Sequence, residues 1–93
     1  MMDYIWDPEK DRQNRHRHGV ALADGISALQ DPNAETWIDD RFDYGEERSI
    51  TLGLSIGGVP YVVASELADD LIRIISVRRA KRHEERWYYE GKS

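Results

Sequence analysis

The stretch "IRIISVRRAKRHEERWYY", from Ile72 to Tyr89, holds Arg73, Arg78, Arg79, Lys81, Arg82 and Arg86. A guanidinium keeps its charge in any protein environment and binds phosphate through paired donors. The chemistry open to this stretch is therefore the holding of a phosphate group. From Leu71 onward seven cations meet three anions, a local charge of +4, while residues 1–70 carry six cations and fifteen anions, or −9. The whole chain has a net charge of −5, which speaks against a nucleic-acid binder, but a ligand meets the local charge. The blander alternative is a solvated helix face.

Arg73 sits among apolar neighbours in "LIRIISVR". It needs either a carboxylate, with Glu47 and Glu66 as candidates, or a wet concave surface where it would ligate phosphate. Strict alternation puts Leu71, Arg73, Ile75 and Val77 on one face and Ile72, Ile74 and Ser76 on the other. Arg78 and Arg79 fall where the strand gives way to a helix. Cations at a helix N-terminus are unfavourable unless an anion is close, and such local conflicts often mark sites.

His16-x-His18 lacks the i, i+4 spacing of a helical metal pair and has no evident third ligand, so no metal is expected. His18 stands at a helix C-terminus before Gly19, where imidazolium is favoured and a raised pKa is expected. A simple capping role fits that position equally. Glu47 and Arg48 open a strand and point to opposite faces; Glu47 reads equally as a surface charge. Glu84 and Tyr88, at i and i+4, share a helix face. Trp87, Tyr88 and Tyr89 have the residue types that stack on bases, or they pack on a sheet.

The elements that must position these residues follow from pattern. A length of 93 residues suggests a single domain of modest stability. The absence of cysteine excludes disulfides and thiolate metal sites and fits a reducing compartment. The polar N-terminus is unlike a signal peptide, and no apolar run approaches the roughly 20 residues of a membrane span, so a cytoplasmic location is expected.

"MMDYIW" is a short first strand. Asp7-Pro8 then starts a polar helix, "PEKDRQNRHRH", with Asp7 as N-cap, Pro8 in the first turn and Gly19 as its stop. "VALADGISALQ" has helical spacing, ended by Asp31-Pro32 and weakened by Gly25. From Glu35 the period becomes two. "ETWID" is a strand and "DRFDYGEE" an acidic connector. "RSITLGLSI" alternates Ile50, Leu52, Leu54 and Ile56 on one face, Gly57-Gly58 is a two-residue hairpin signal, and "VPYVVASEL" returns. Asp69-Asp70 turns into "LIRIISV", and a helix runs from Arg79 to about Glu90. Strands joined by short turns are antiparallel neighbours. The expected fold is α+β: two short N-terminal helices, an antiparallel meander and one C-terminal helix.

Taken in order, "WDPEK" (Trp6 to Lys10), "NRHRHGV" (Asn14 to Val20), Asp31-Pro32, "GEERSITLG" (Gly45 to Gly53) and "IRIISVRRAKRHEERWYYE" (Ile72 to Glu90) resemble the BrnT family of type II toxins. The family's Asn-x-x-Lys/Arg-His-Gly pattern is met by Asn14, Arg17, His18 and Gly19. Ser76, Arg78, Ala80, Glu84 and Tyr88 fall at the family's spacing. The resemblance implies a RelE-like fold and a metal-independent, cofactor-free ribonuclease that cleaves mRNA. It also implies a BrnA-type antitoxin partner, which supplies the contact with operator DNA. On that reading Arg73 and Arg78 stabilise charge on the reacting phosphate, His18 and Glu47 move protons, and Tyr88 orients a base or the 2′-OH. Lys10, Arg48, Arg79 and Arg82 hold the RNA backbone. The chain departs from its relatives at Ser65, Glu66 and Ala68, which removes possible RNA contacts beside Arg73 and adds a negative charge. The alternative from another class is a non-catalytic module whose basic groove binds a partner helix.

Overall fold

The computed structural model describes residues 2–39 and 48–91. Among them five strands form one sheet in the order β1-β5-β4-β3-β2. These are β1 (Asp3–Ile5), β2 (Glu35–Ile38), β3 (Arg48–Leu54), β4 (Pro60–Ala68) and β5 (Leu71–Arg79). Strands β2 to β5 are antiparallel neighbours, as the short turns require for β3, β4 and β5. β1 differs from the expected meander: it runs parallel to β5, with Tyr4 opposite Ile72. A parallel pair needs a long crossover, and the whole chain between Ile5 and Leu71 provides it. The sheet is therefore mixed. The acidic connector at 40–47 and Glu47 lie outside the described residues.

Helix α1 (Pro8–His18) starts and stops as its sequence signals predict. The Asp7 side chain accepts from the Glu9 N–H at 2.8 Å, and Gly19 closes the helix at φ 75°. The helix has no aliphatic or aromatic residue with which to bind the sheet, so polar groups dock it. Asn14, 6% exposed, donates to the carbonyls of Val77 and Val20 at 2.8 Å each and accepts from the Val77 N–H at 3.1 Å. Its amide thus pairs with the free edge of β5 as a neighbouring peptide would. Asp11 adds a bond from the Leu22 N–H at 2.8 Å.

The helix expected over Val20 to Gln30 is two pieces: a 3-10 turn, Leu22–Asp24, and a short α2, Gly25–Gln30. Asp24 causes the break, because its carboxylate accepts the Ala21 N–H at 2.9 Å and ties the chain into a local turn. Asp31 caps the end, as expected. Gly53 lets α2 lie close on the sheet, since a Cβ there would collide with the Ala28 backbone. Leu22, Ala28, Val63, Ile74 and Val77 form the core on this face. The other face carries α3 (Arg82–Glu90), with Trp87 and Tyr88 against Leu52, Val62 and Ala80.

Two turns and one strand also differ from expectation. The β3–β4 loop is Ile56-Gly57-Gly58, closed by Ser55 N–H to Val59 O at 2.9 Å, with Gly58 at φ 79°. It is a three-residue loop with a left-handed third position, and it leaves Ile56 exposed instead of on the apolar face. β5 continues to Arg79 because Pro60 and Tyr61 keep supplying ladder partners; Ala80 N–H still reaches Pro60 O at 2.9 Å. The helix therefore begins at Arg82, not Arg79. Finally, Ala64 pairs with Ser76 while Ser65 pairs with Ile74, which leaves Ile75 as an extra residue, a β-bulge in β5.

Candidate functional site

The bulge decides where the arginines go. Strict alternation separates Arg73 from Arg78, whereas one extra residue restores them to one face. In register, Arg73 lies opposite Glu66 and Arg78 opposite Val62, and both positions on β4 belong to the same side. The bulged residue, Ile75, lies on the seam between β5 and α1. Two adjoining hollows follow that seam and share Lys10 and Ile75. The first, about 220 Å³, is lined by Lys10, Gln13, Asn14, Arg17, His18, Ile75 and Ser76. The second, about 320 Å³, runs past Trp6, Asp7 and Arg73.

Among the described residues, Lys10, Arg17 and Arg73 form no ion pair. Arg73 has not taken Glu66: that carboxylate accepts from Arg48 Nε at 3.0 Å, so Arg48 is engaged inside the sheet. All three are exposed, and they give the seam a positive local charge that attracts anions. Lys10, Asn14 and Arg17 stand at i, i+4 and i+7 on α1, one stripe of the helix.

His18 lies at the end of this stripe. Burial holds its pKa below the ordinary histidine value, with the charges of Arg17 and Arg78 acting in the same direction. The raised value expected from the helix C-terminus is overturned: two guanidiniums and lost hydration outweigh the dipole. The shift favours the neutral imidazole.

Arg78 is close enough to act on His18, yet it is also held. Its Nη1 and Nη2 donate to the two oxygens of Glu84 at 2.7 and 2.8 Å. Glu84 Oε1 also accepts the Lys81 N–H at 2.7 Å, capping α3. The arginine's hydrogen bonds are the main cause of a Glu84 pKa below the usual carboxylate range. The anion demanded by cations at this helix start is thus the helix's own third residue.

Tyr88 is not brought to the seam. Its hydroxyl donates to Asp31, which also accepts the N–H groups of Leu54 at 2.8 Å and Asn33 at 2.9 Å. That bond pushes the Tyr88 pKa up to about 12. Orienting RNA would require Tyr88 to leave Asp31. Arg79 and Arg82 are exposed, at the end of β5 and the start of α3. Glu47 lies outside the described residues. Arg17 and Ser76 entered the sequence reading only as positions of the family pattern, without a site role, and Gln13 not at all. The signal for Arg17 was its seven-residue spacing from Lys10. Among the described residues no three His, Cys, Asp or Glu side chains cluster as metal ligands, and no helix is long and apolar enough to cross a membrane.

A mixed five-stranded sheet with helices on both faces and a cation-lined seam along its edge strand defines a small α+β domain. The match of the model for "Ribonuclease toxin, BrnT, of type II toxin-antitoxin system" to residues 6–84 identifies the class further. The chain belongs to the BrnT family of ribonuclease toxins. The fold resembles the crystal structure of the Brucella abortus ribonuclease toxin BrnT with a TM-score of 0.69. The likeness covers 88% of this chain and all of that one at 24% identity, and it bears on the fold alone. No curated protein matches the chain. Membership implies an RNA substrate and an antitoxin partner.

Proposed function

We propose that the chain is a metal-independent endoribonuclease of RelE-like type, acting at the seam between α1 and β5 and silenced by a BrnA-type antitoxin. The observation that carries this reading is the row of Lys10, Arg17 and Arg73 along two adjoining hollows, none of them ion-paired among the described residues, with His18 in the first of the two.

A neutral imidazole is the form that accepts a proton. His18 takes the proton of a ribose 2′-OH, the 2′-oxygen attacks the adjacent phosphorus, and the bond from phosphorus to the 5′-oxygen breaks. The products are a 2′,3′-cyclic phosphate and a 5′-hydroxyl, whose proton comes from a general acid; Glu47 stays the candidate. Such acid–base groups contribute roughly 10²–10⁴-fold. Arg73 and Lys10 face the charge that develops on phosphorus, where each preorganised donor supplies about 2.7–4 kcal/mol. Arg78, fixed by Glu84, serves as a standing positive charge that disfavours imidazolium and leaves His18 in its proton-accepting form. Arg79 and Arg82 extend the cationic track along the strand end.

The test is incubation of the purified, partner-free chain with single-stranded RNA in excess EDTA, with the product ends identified by mass. Cleavage leaving cyclic phosphate ends supports the reading. Intact RNA with folded protein refutes it and favours a binding module.

A further inference from the structure

The second hollow contains groups that phosphate chemistry does not use. It is lined by Ile5, Trp6, Asp7, Lys10, Arg73, Ile74 and Ile75. Trp6 is half-buried, with part of its indole packed on the core and the rest at the hollow. Asp7 uses Oδ1 to cap α1; Oδ2 has no partner among the described residues.

Resting on the ribonuclease reading above, we propose that this hollow is a nucleobase subsite selecting guanine, with Trp6 as the stacking platform and Asp7 as the reader of the Watson–Crick edge. About 320 Å³ lies at the small end of the range for ligand pockets and suits one base better than a dinucleotide. An indole face stacks on any base and gives no discrimination by itself. Discrimination comes from Asp7. An ionised carboxylate only accepts hydrogen bonds. Guanine presents two adjacent donors, N1–H and the N2 amine, to that edge. Uracil places its single donor between two carbonyl oxygens, which repel a carboxylate. Adenine and cytosine each offer one amine beside an acceptor. Oδ1 retains a second lone pair after capping, so both oxygens can serve the base. Lys10, shared by the two hollows, and Arg73, at the base's own hollow, then both face the phosphate joined to the bound nucleotide, which places the cut beside guanine.

The experiment maps cleavage of a single-stranded RNA of mixed sequence at nucleotide resolution and takes the ratio of cuts beside guanine to cuts elsewhere. The wild type is expected to favour guanine. Asp7→Asn keeps an N-capping oxygen of equal quality, so α1 should still start, but replaces an acceptor with a donor. It is expected to lower the ratio about 5-fold or more, as befits one bidentate base contact. A ratio near unity in the wild type, or one unchanged in Asp7→Asn, overturns the subsite.

A second measurement separates this proposal from the cleavage reading. Uncleavable 2′-O-methyl tetranucleotides that carry guanine, inosine or uracil at one position are titrated against the chain. Inosine lacks the N2 amine. Affinity falling from guanine to inosine to uracil upholds the subsite even if no RNA is cut. Equal affinity for all three refutes it even if RNA is cut.

Discussion

Asn14→Ala tests how a helix without a greasy face is held in place. The substitution removes three hydrogen bonds, two to Val77 and one to Val20. Val77 is fully buried, so its N–H and C=O lose their partner at the sheet edge. A buried polar group left unpaired costs about 1–3 kcal/mol. The neighbouring hollow admits some water, which puts the total near the lower end, roughly 2–4 kcal/mol for the set. For a domain of this length that lowers Tm by on the order of 10–30 °C. The assay is urea or thermal unfolding followed by tryptophan fluorescence. Asn14→Asp sharpens the test, because it turns an amine facing two carbonyls into a carboxylate facing them. It should be at least as destabilised as the alanine variant at neutral pH and partly restored by acid, where the carboxyl can donate. A loss below about 1 kcal/mol in both variants would mean that α1 is held by something other than Asn14.

Three further outcomes follow from the ionised groups. Glu84→Gln should lose about 1–3 kcal/mol at neutral pH, the value of a hydrogen bond to a charged group. The folded-state pKa of Glu84 is depressed, so this stability is present above the unfolded carboxylate pKa and fades as pH falls through the folded one. Wild type and variant should converge in acid unfolding curves. Tyr88→Phe should cost about 1 kcal/mol, the loss of one hydrogen bond with Asp31. Tyr88 is raised, so its contribution is complete below the unfolded pKa near 10 and is lost as pH rises through about 12; alkaline unfolding of the phenylalanine variant should lack that fall. The rate of RNA cleavage should rise with pH through an apparent pKa below the ordinary histidine value, because burial, Arg17 and Arg78 disfavour imidazolium. A bell centred on a raised pKa would remove His18 as the base.

Local signals carried far in this chain. Asp7, Pro8 and Gly19 bound α1 because caps act within a few residues, and the period-two segments became strands β2 to β5. What stayed hidden depended on partners distant in sequence. Nothing in "MMDYIW" names Ile72 as a parallel neighbour. Nothing in "LIRIISV" marks Ile75 as the residue squeezed out of register, because that follows from how β4 pairs on either side. That bulge reverses the facing of every residue beyond it and so brings Arg73 and Arg78 to one side. The cationic end of the chain was visible as charge. Which cations are free was not, because Arg48 and Arg78 found Glu66 and Glu84 only in three dimensions. Glu84 as the cap of α3 stayed hidden as well, because the helix was expected to start at Arg79 and its N-cap is Lys81; the expectation for His18 rested on the helix dipole alone and missed the two guanidiniums beside it.

The most direct measurement is single-turnover cleavage of RNA in EDTA by Arg73→Ala and Arg12→Ala, run beside the wild type. Both variants remove one exposed guanidinium; Arg73 lines the seam, while Arg12 pairs with Glu9 on α1 away from it. The account predicts a fall of about 10²-fold or more for Arg73→Ala, in line with one lost donor to the reacting phosphate, and a rate within about twofold of wild type for Arg12→Ala. A loss of less than about tenfold at Arg73, or equal losses in the two variants, would contradict a catalytic seam between α1 and β5.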